Sequence, residues 1–327
     1  MITSTLTRLG QHIERTPTYL TILAGTLLVS YEHWIGPLSI TAQLVFCGSL
    51  LLVVGIPHGA LDHLIEQERS SQQAKPFSLA RFLAKYIVMI VLYGLAWLFF
   101  PVLSLLVFLL ISAWHFGETD LEHVPDDIYW SLTRLIAGGF VLGFILLAHA
   151  TEVTPILARI VQDDQQTMTL WAEAVSSSGA LLRGWATLSI ILTILSLGHR
   201  STLINSWRLV RLATVLLLTY SLPLLPAFML YFGGWHSLSS FGLIQSYLQR
   251  SANPAQSVWK LWRQSIPFTA LAFGFLLAGA GIWTSYMPHF DPLPYLFILL
   301  STITLPHIQV MRQLSLPPKK LVIKKID

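Results

Sequence analysis

Long apolar runs separated by short polar stretches dominate the chain from about residue 18 onward. Several are long enough to cross ~30 Å of hydrocarbon, which takes roughly 20 helical residues. The pattern predicts ten helical spans, near 18–36, 40–65, 85–100, 101–117, 132–150, 181–198, 208–222, 224–247, 265–286 and 292–311. Pro101, Pro223 and Pro292 punctuate tight connections, so the third and fourth spans, and the seventh and eighth, read as hairpins. "SYEHWIG" follows the first run where a cleavable leader would carry small residues, so that run reads as a retained helix. Thr151 to Ala180 reads as a polar outer loop with "TMTLWAEAV" as a candidate interfacial helix.

Composition strengthens the membrane reading. Only 11% of residues are charged and 54% are hydrophobic, against about 25% charged in an ordinary soluble domain. The fold class expected is therefore all-α, a polytopic membrane helical bundle of eight to ten spans forming one domain over residues 1–327. The single cysteine, Cys47, excludes an intramolecular disulfide and a cysteine metal site.

The net charge of +4 raises nucleic acid as a partner, and its distribution removes it. With the N-terminus cytoplasmic and ten alternating spans, 18 of the 20 basic residues fall on the inner side. Only Arg159 and Arg183 fall outside, in the long outer loop. Lysine and arginine in short loops mark the cytoplasmic face. The basic balance is thus one of orientation, with both termini cytoplasmic and the chain in the cell's inner membrane. The tail "LPPKKLVIKKID" reads as a basic end near anionic lipid.

Eleven histidines are present. His12, His33, His123, His149, His199 and His289 lie in loops or near span ends, where interfacial or hydrogen-bonded roles are expected. Four others share a register. His58 in "IPHGALDH", His115 in "SAWHFGETD", His236 in "YFGGWHSLSSF" and His307 in "TLPHIQV" all lie in the inner halves of spans that run inward. An ionisable group inside a membrane is costly and marks a functional site. Four at one depth point to one site.

Imidazole suits Fe, Cu, Zn and Ni. Ligating histidines usually donate their second ring nitrogen to a carboxylate or carbonyl. Asp62, four residues after His58, Glu118 and Asp120 after His115, and Ser240 are the candidate partners. His63 points elsewhere if the helix is regular. Small residues beside the histidines, Gly55, Gly59, Gly117, Gly233 and Gly234, permit close helix approach. Trp114, Phe116, Tyr231 and Trp235 are candidate walls of a substrate tunnel.

"PHGALDH", "WHFGETD", "WHS" and "TLPH" resemble, in order, the motifs of the Brp/Blh family of membrane β-carotene 15,15'-dioxygenases. The resemblance covers essentially the whole chain. It implies a membrane-embedded catalytic domain that cleaves the central double bond of β-carotene with O₂, giving two retinals. It also implies non-haem Fe(II), with His58, His115 and His236 as catalytic metal ligands. Retinal could then pass to an opsin. One departure stands out. Family members often read "HSxxH", whereas this chain reads "HSLSS", with Ser240 at the last position. Either three histidines suffice, or His307 completes a set of four, or the activity is altered or lost; His307 is favoured because its depth matches.

Two other classes suit the same residues. A carotenoid- or retinal-binding membrane protein would use the tunnel without chemistry. A di-haem electron-transfer protein would pair the histidines across two porphyrins.

Overall fold

The computed structural model describes residues 2–122, 124–202, 204–251, 257–286 and 292–315, with the backbone alone for 2–17 and for a few residues near helix ends. His123, His289, the side chain of His12 and the basic tail from Leu316 lie outside the described residues. Every regular element among the described residues is helical.

The helices are α1 (Ile2–Trp34), α2 (Ile40–Gln72), α3 (Leu79–Phe99), α4 (Pro101–Asp120), α5 (Ile128–Ala148) and α6 (Ala150–Ile160). They continue as α7 (Gln165–Ser176), α8 (Ser178–His199), α9 (Ser206–Tyr220), α10 (224–251), α11 (Val258–Tyr286) and α12 (Leu293–Ser315). Six of them, α2, α3, α4, α5, α8 and α12, are long and apolar enough to cross a membrane among the described residues. Their outward faces carry large apolar side chains, such as Leu98, Ile190 and Ile194. That is the arrangement expected of a bundle whose solvent is lipid.

Local chemistry fixes the helix ends. Ser78, Asp127, Asp164 and Asn205 each accept a hydrogen bond from a backbone N–H three residues on, capping α3, α5, α7 and α9. The cap at Ser78 starts α3 six residues before the apolar run does, so Arg81 and Lys85 are helical. Phe100 alone separates α3 from α4, and residues 221–223 separate α9 from α10, so both expected hairpins form. The polar stretch after residue 150 differs from expectation. α7 covers the candidate interfacial helix, and α6 adds a helix where a loop was expected. Its apolar residues Val153, Ile156, Leu157 and Ile160 recur at i, i+3, i+4 and i+7, the spacing of one helical face.

α4 and α5 approach most closely. A Cβ at Gly117 would lie 1.9 Å from the carbonyl oxygen of Arg134, and one at Gly138 would lie 1.9 Å from that of Ala113. Only glycine permits this backbone contact. α1 is tied to α10 by the Thr21 hydroxyl, which donates to the Gly234 carbonyl, and Gly234 leaves room for the Thr21 methyl.

α2 and α10 are both broken by π-helical turns, Leu51–Gly55 and Leu230–Ser237. The first lies just before His58 and the second contains His236. Such turns re-aim side chains and concentrate at functional sites. Nearby prolines also free carbonyls, because proline has no N–H to offer the residue four before it. Val53, four before Pro57, receives the Trp262 indole N–H of α11 at 2.9 Å. The Leu222 carbonyl, which lies just before α10 begins, is met by His149 Nε2 at 2.8 Å. His149 also bonds the Ile145 carbonyl at 2.7 Å, so it is a structural histidine as expected.

Candidate functional site

The structure brings His58, His115, His236 and His307 together from four helices, each no more than 5% exposed. The centroids of His115 and His236 are 4.6 Å apart, those of His58 and His307 4.9 Å, and those of His115 and His307 5.2 Å. His58 and His236 lie 5.9 Å apart. Neighbouring rings are almost perpendicular, with interplanar angles of 75–87°. Nε2 of His236 lies 3.1 Å from Nε2 of His115. The four rings therefore surround one point, which leaves no space for two separate porphyrins and sets aside the di-haem alternative.

Asp62 fixes one ring. His307 Nδ1 lies 2.9 and 3.0 Å from its two carboxylate oxygens, and the Tyr86 hydroxyl donates to the same carboxylate at 3.0 Å. With Nδ1–H donated, a neutral His307 turns its lone pair out through Nε2, which is buried and has no hydrogen-bond partner. Asp62 was expected behind His58. The turn at Ala60 and Leu61 interrupts the helix between them, and the carboxylate serves His307 instead. Tyr86 was not singled out in the sequence, where it is one aromatic in an apolar span.

Asp120 forms a second anchor. Its carboxylate accepts the Tyr231 hydroxyl at 2.9 Å and the Trp235 indole N–H at 2.7 Å. Arg208 donates to the carbonyls of Thr119 and Asp120, pairs with Glu122 and lies over the Trp235 ring. The end of α4, five residues beyond His115, is thus clamped to the π-helical turn that carries His236. Phe116 packs against both Tyr231 and His236.

Two expectations are corrected here. Ser240 is buried, but its hydroxyl donates to the His236 carbonyl of its own helix at 3.0 Å, so it supports the backbone and not a ring nitrogen. Of the four candidate tunnel walls only Phe116 lines the cavity. Tyr231 and Trp235 turn inward because their polar tips are held by Asp120, and Trp114 lies off the lining. Glu118 is half-buried in the field of Arg134. His63 bonds the Ala60 carbonyl at 2.9 Å and lays its ring against Phe268 at the cavity edge.

The histidines open onto a cavity of about 940 Å³, near the upper end of the roughly 300–1,000 Å³ usual for ligand sites. Its walls are almost wholly apolar, and α6 and α7 form one end of it. Phe228, Phe232 and His236 follow one another along α10 in nearly parallel planes, 7° and 16° apart. All three line the cavity.

Imidazole nitrogens are donors that suit a first-row metal ion. Two nitrogens bound side by side to such an ion, at about 2.1 Å each, lie roughly 3 Å apart, close to the His115–His236 spacing of 3.1 Å. Among the described residues no group of three or more His, Cys, Asp or Glu side chains stands in an arrangement that could hold a metal ion. The case for an ion thus rests on the facing rings and on the unpartnered Nε2 of His307. Leaving such a nitrogen buried and unpaired costs about 1–3 kcal/mol.

A beta-carotene 15,15'-dioxygenase from an uncultured marine bacterium, 66A03, is 35% identical over 124 residues, 38% of this chain and 44% of that protein. The matched segment thus spans less than half of that relative. The probable beta-carotene 15,15'-dioxygenase Blh of Halobacterium salinarum is 26% identical over 307 residues, covering 84% of this chain and 85% of its own. No solved structure matches. The beta-carotene 15,15'-dioxygenase family profile matches residues 49–315, which include all four clustered histidines, and the chain belongs to that family.

Proposed function

We propose that this membrane protein cleaves the central double bond of β-carotene with O₂ to give two retinals, using Fe(II) held by His58, His115, His236 and His307. The observation that carries the reading is the convergence of four imidazoles on one wall of a large apolar cavity. Family membership supports the substrate and the bond cleaved.

Fe(II), when bound, supplies the redox chemistry by which ground-state O₂ reacts with an alkene. The chain's own residues do the rest. Asp62 keeps His307 in the Nδ1–H tautomer and places a negative charge behind it. The Asp120 clamp keeps His115 and His236 with their Nε2 atoms 3.1 Å apart. The apolar walls exclude water and seat a hydrocarbon without polar handles. The double bond cleaved is then decided by how far the polyene slides past the histidines. No proton donor is needed beside the alkene, and the cavity places no free carboxylate there: Asp62 is already committed to His307 and Tyr86.

We infer that the long helices give about ten spans with both termini cytoplasmic, in the inner membrane, as the basic residues indicate. Retinal released into the bilayer would be available to an opsin.

The test is retinal formation in bacterial cells that already make β-carotene, with iron measured in the purified protein. The intact chain is expected to bleach the cells and yield retinal, and each of His58→Ala, His115→Ala, His236→Ala and His307→Ala to lose both iron and retinal. Retention of intact carotenoid by the unmodified, iron-loaded protein would instead identify a carotenoid-binding protein.

A further inference from the structure

The cavity is not equally closed on all sides. Most of its lining is buried or half-buried, but Ile87 of α3, Leu271 and Phe275 of α11, and Ile303 of α12 are 57%, 70%, 68% and 38% exposed. These four come from three helices, α3, α11 and α12. Where α6 and α7 line the cavity, Leu170 is the one residue with comparable exposure.

α11 is held at its beginning. Leu261 is fully buried, Trp262 donates to the Val53 carbonyl, and Phe268 packs on His63. Its packing is against the His58 turn of α2 and against α10, while α3 packs on α4 and α12. No comparable seam joins α11 to α3 or α12 among the described residues. Beyond Phe268, α11 presents Leu271, Phe275 and Leu277 outward. Lipid tails are as apolar as these side chains, so little drives such a gap to close.

We propose that the gap between α11 and the α3–α12 pair is a lateral doorway through which a carotenoid passes from the bilayer to the histidine cluster. The inference rests on the carotenoid reading above. The occupant is argued from the inner wall. Phe228, Phe232 and His236 present nearly parallel ring planes that lead to the cluster. A flat, stiff conjugated hydrocarbon matches this wall better than a flexible acyl chain does, because it loses little conformational entropy on lying against it. A substrate dissolved in lipid also arrives in the membrane plane, where the exposed lining residues are.

The full chain lends itself to a bridging experiment, because Cys47 is its one cysteine. In a Cys47→Ser background, Ile87→Cys and Leu271→Cys are joined by a thiol-cleavable bifunctional methanethiosulfonate. The protein is placed in phosphatidylcholine vesicles containing β-carotene, and each sample is compared with itself before bridging and after reduction. Carotenoid uptake, read as quenching of tryptophan emission, and retinal formation are expected to fall about tenfold on bridging and to recover on reduction. Unchanged uptake in the bridged protein would overturn the doorway. So would bridges that join two chains, which would make this face an interface between copies. If no protein forms retinal, the cleavage reading fails, and uptake still decides the doorway. Should the double variant not accumulate, Ala272→Trp narrows the same gap. It is expected to raise KM severalfold more than it lowers kcat, and an unchanged KM would count against the proposal.

Discussion

Asp62 holds His307 across 245 residues of sequence, with both carboxylate oxygens within 3.0 Å of Nδ1. A carboxylate behind an imidazole fixes its tautomer and raises the basicity of the other nitrogen. Asp62→Asn keeps the shape and removes the charge. Iron affinity is expected to fall about 10- to 100-fold with the helical content unchanged. Chelator competition on purified protein measures this, and an unaltered affinity would show that His307 lies outside the ligand set.

Tyr231→Phe tests the second anchor. It removes a buried hydrogen bond to the Asp120 carboxylate and leaves the ring packed on Phe116. The expected cost is about 1.5–3 kcal/mol in thermal or denaturant unfolding. Asp120→Ala should cost more, since it strands both the Tyr231 hydroxyl and the Trp235 indole. Equal stability of Asp120→Ala and the unmodified protein would rule the anchor out.

Ser240→His is expected to harm the protein and not to improve it. The site already has four rings, and Ser240 is fully buried with its hydroxyl turned to its own helix. An imidazole there overpacks the core at about 1–3 kcal/mol. Higher iron affinity or faster retinal formation in this variant would refute the assignment of His307 as the fourth ligand.

His149→Ala separates a structural histidine from the cluster. It strands the buried Leu222 carbonyl that His149 Nε2 meets, at about 1–3 kcal/mol. Iron content per folded protein should stay the same, in contrast to His115→Ala, and elemental analysis beside a melting curve distinguishes the two.

Gly117→Ala probes the α4–α5 contact. Its methyl group would meet the Arg134 carbonyl at 1.9 Å, and backbone cannot yield as a side chain does. A loss of at least about 1–3 kcal/mol is expected. Gly94→Ala, in open surroundings on α3, serves as the control and should leave the melting curve in place.

The four histidines were legible because each stands as an ionisable group within or at the end of an apolar span, where it is costly. Partners across helices were not legible. Asp62 looked like a partner of His58 because spacing along one helix is visible, while the turn at Ala60 and Leu61 and the arrival of His307 from α12 are not. Tyr231 and Trp235 read as tunnel walls because their rings are apolar; their polar ends decided otherwise, and Asp120 is remote in sequence. The π-helical turns leave no mark in the hydrophobic pattern, since they add a residue without changing polarity. α6 did carry a signal, its i, i+3, i+4, i+7 face, but Pro155 and the polar surroundings hid it.

The dispersion of the rings along the chain has a consequence for biogenesis. His115 and His236 are 121 residues apart, and His307 arrives on the last described helix. A nascent chain that has inserted α1 to α10 owns three of the rings and lacks the one with a carboxylate behind it. Under the proposed iron reading, loading of an ion would be a late event, coupled to the docking of α12. A bound ion would stabilise the completed bundle over every partly assembled one, so scarcity of metal during synthesis should appear as turnover of the protein as well as loss of its product.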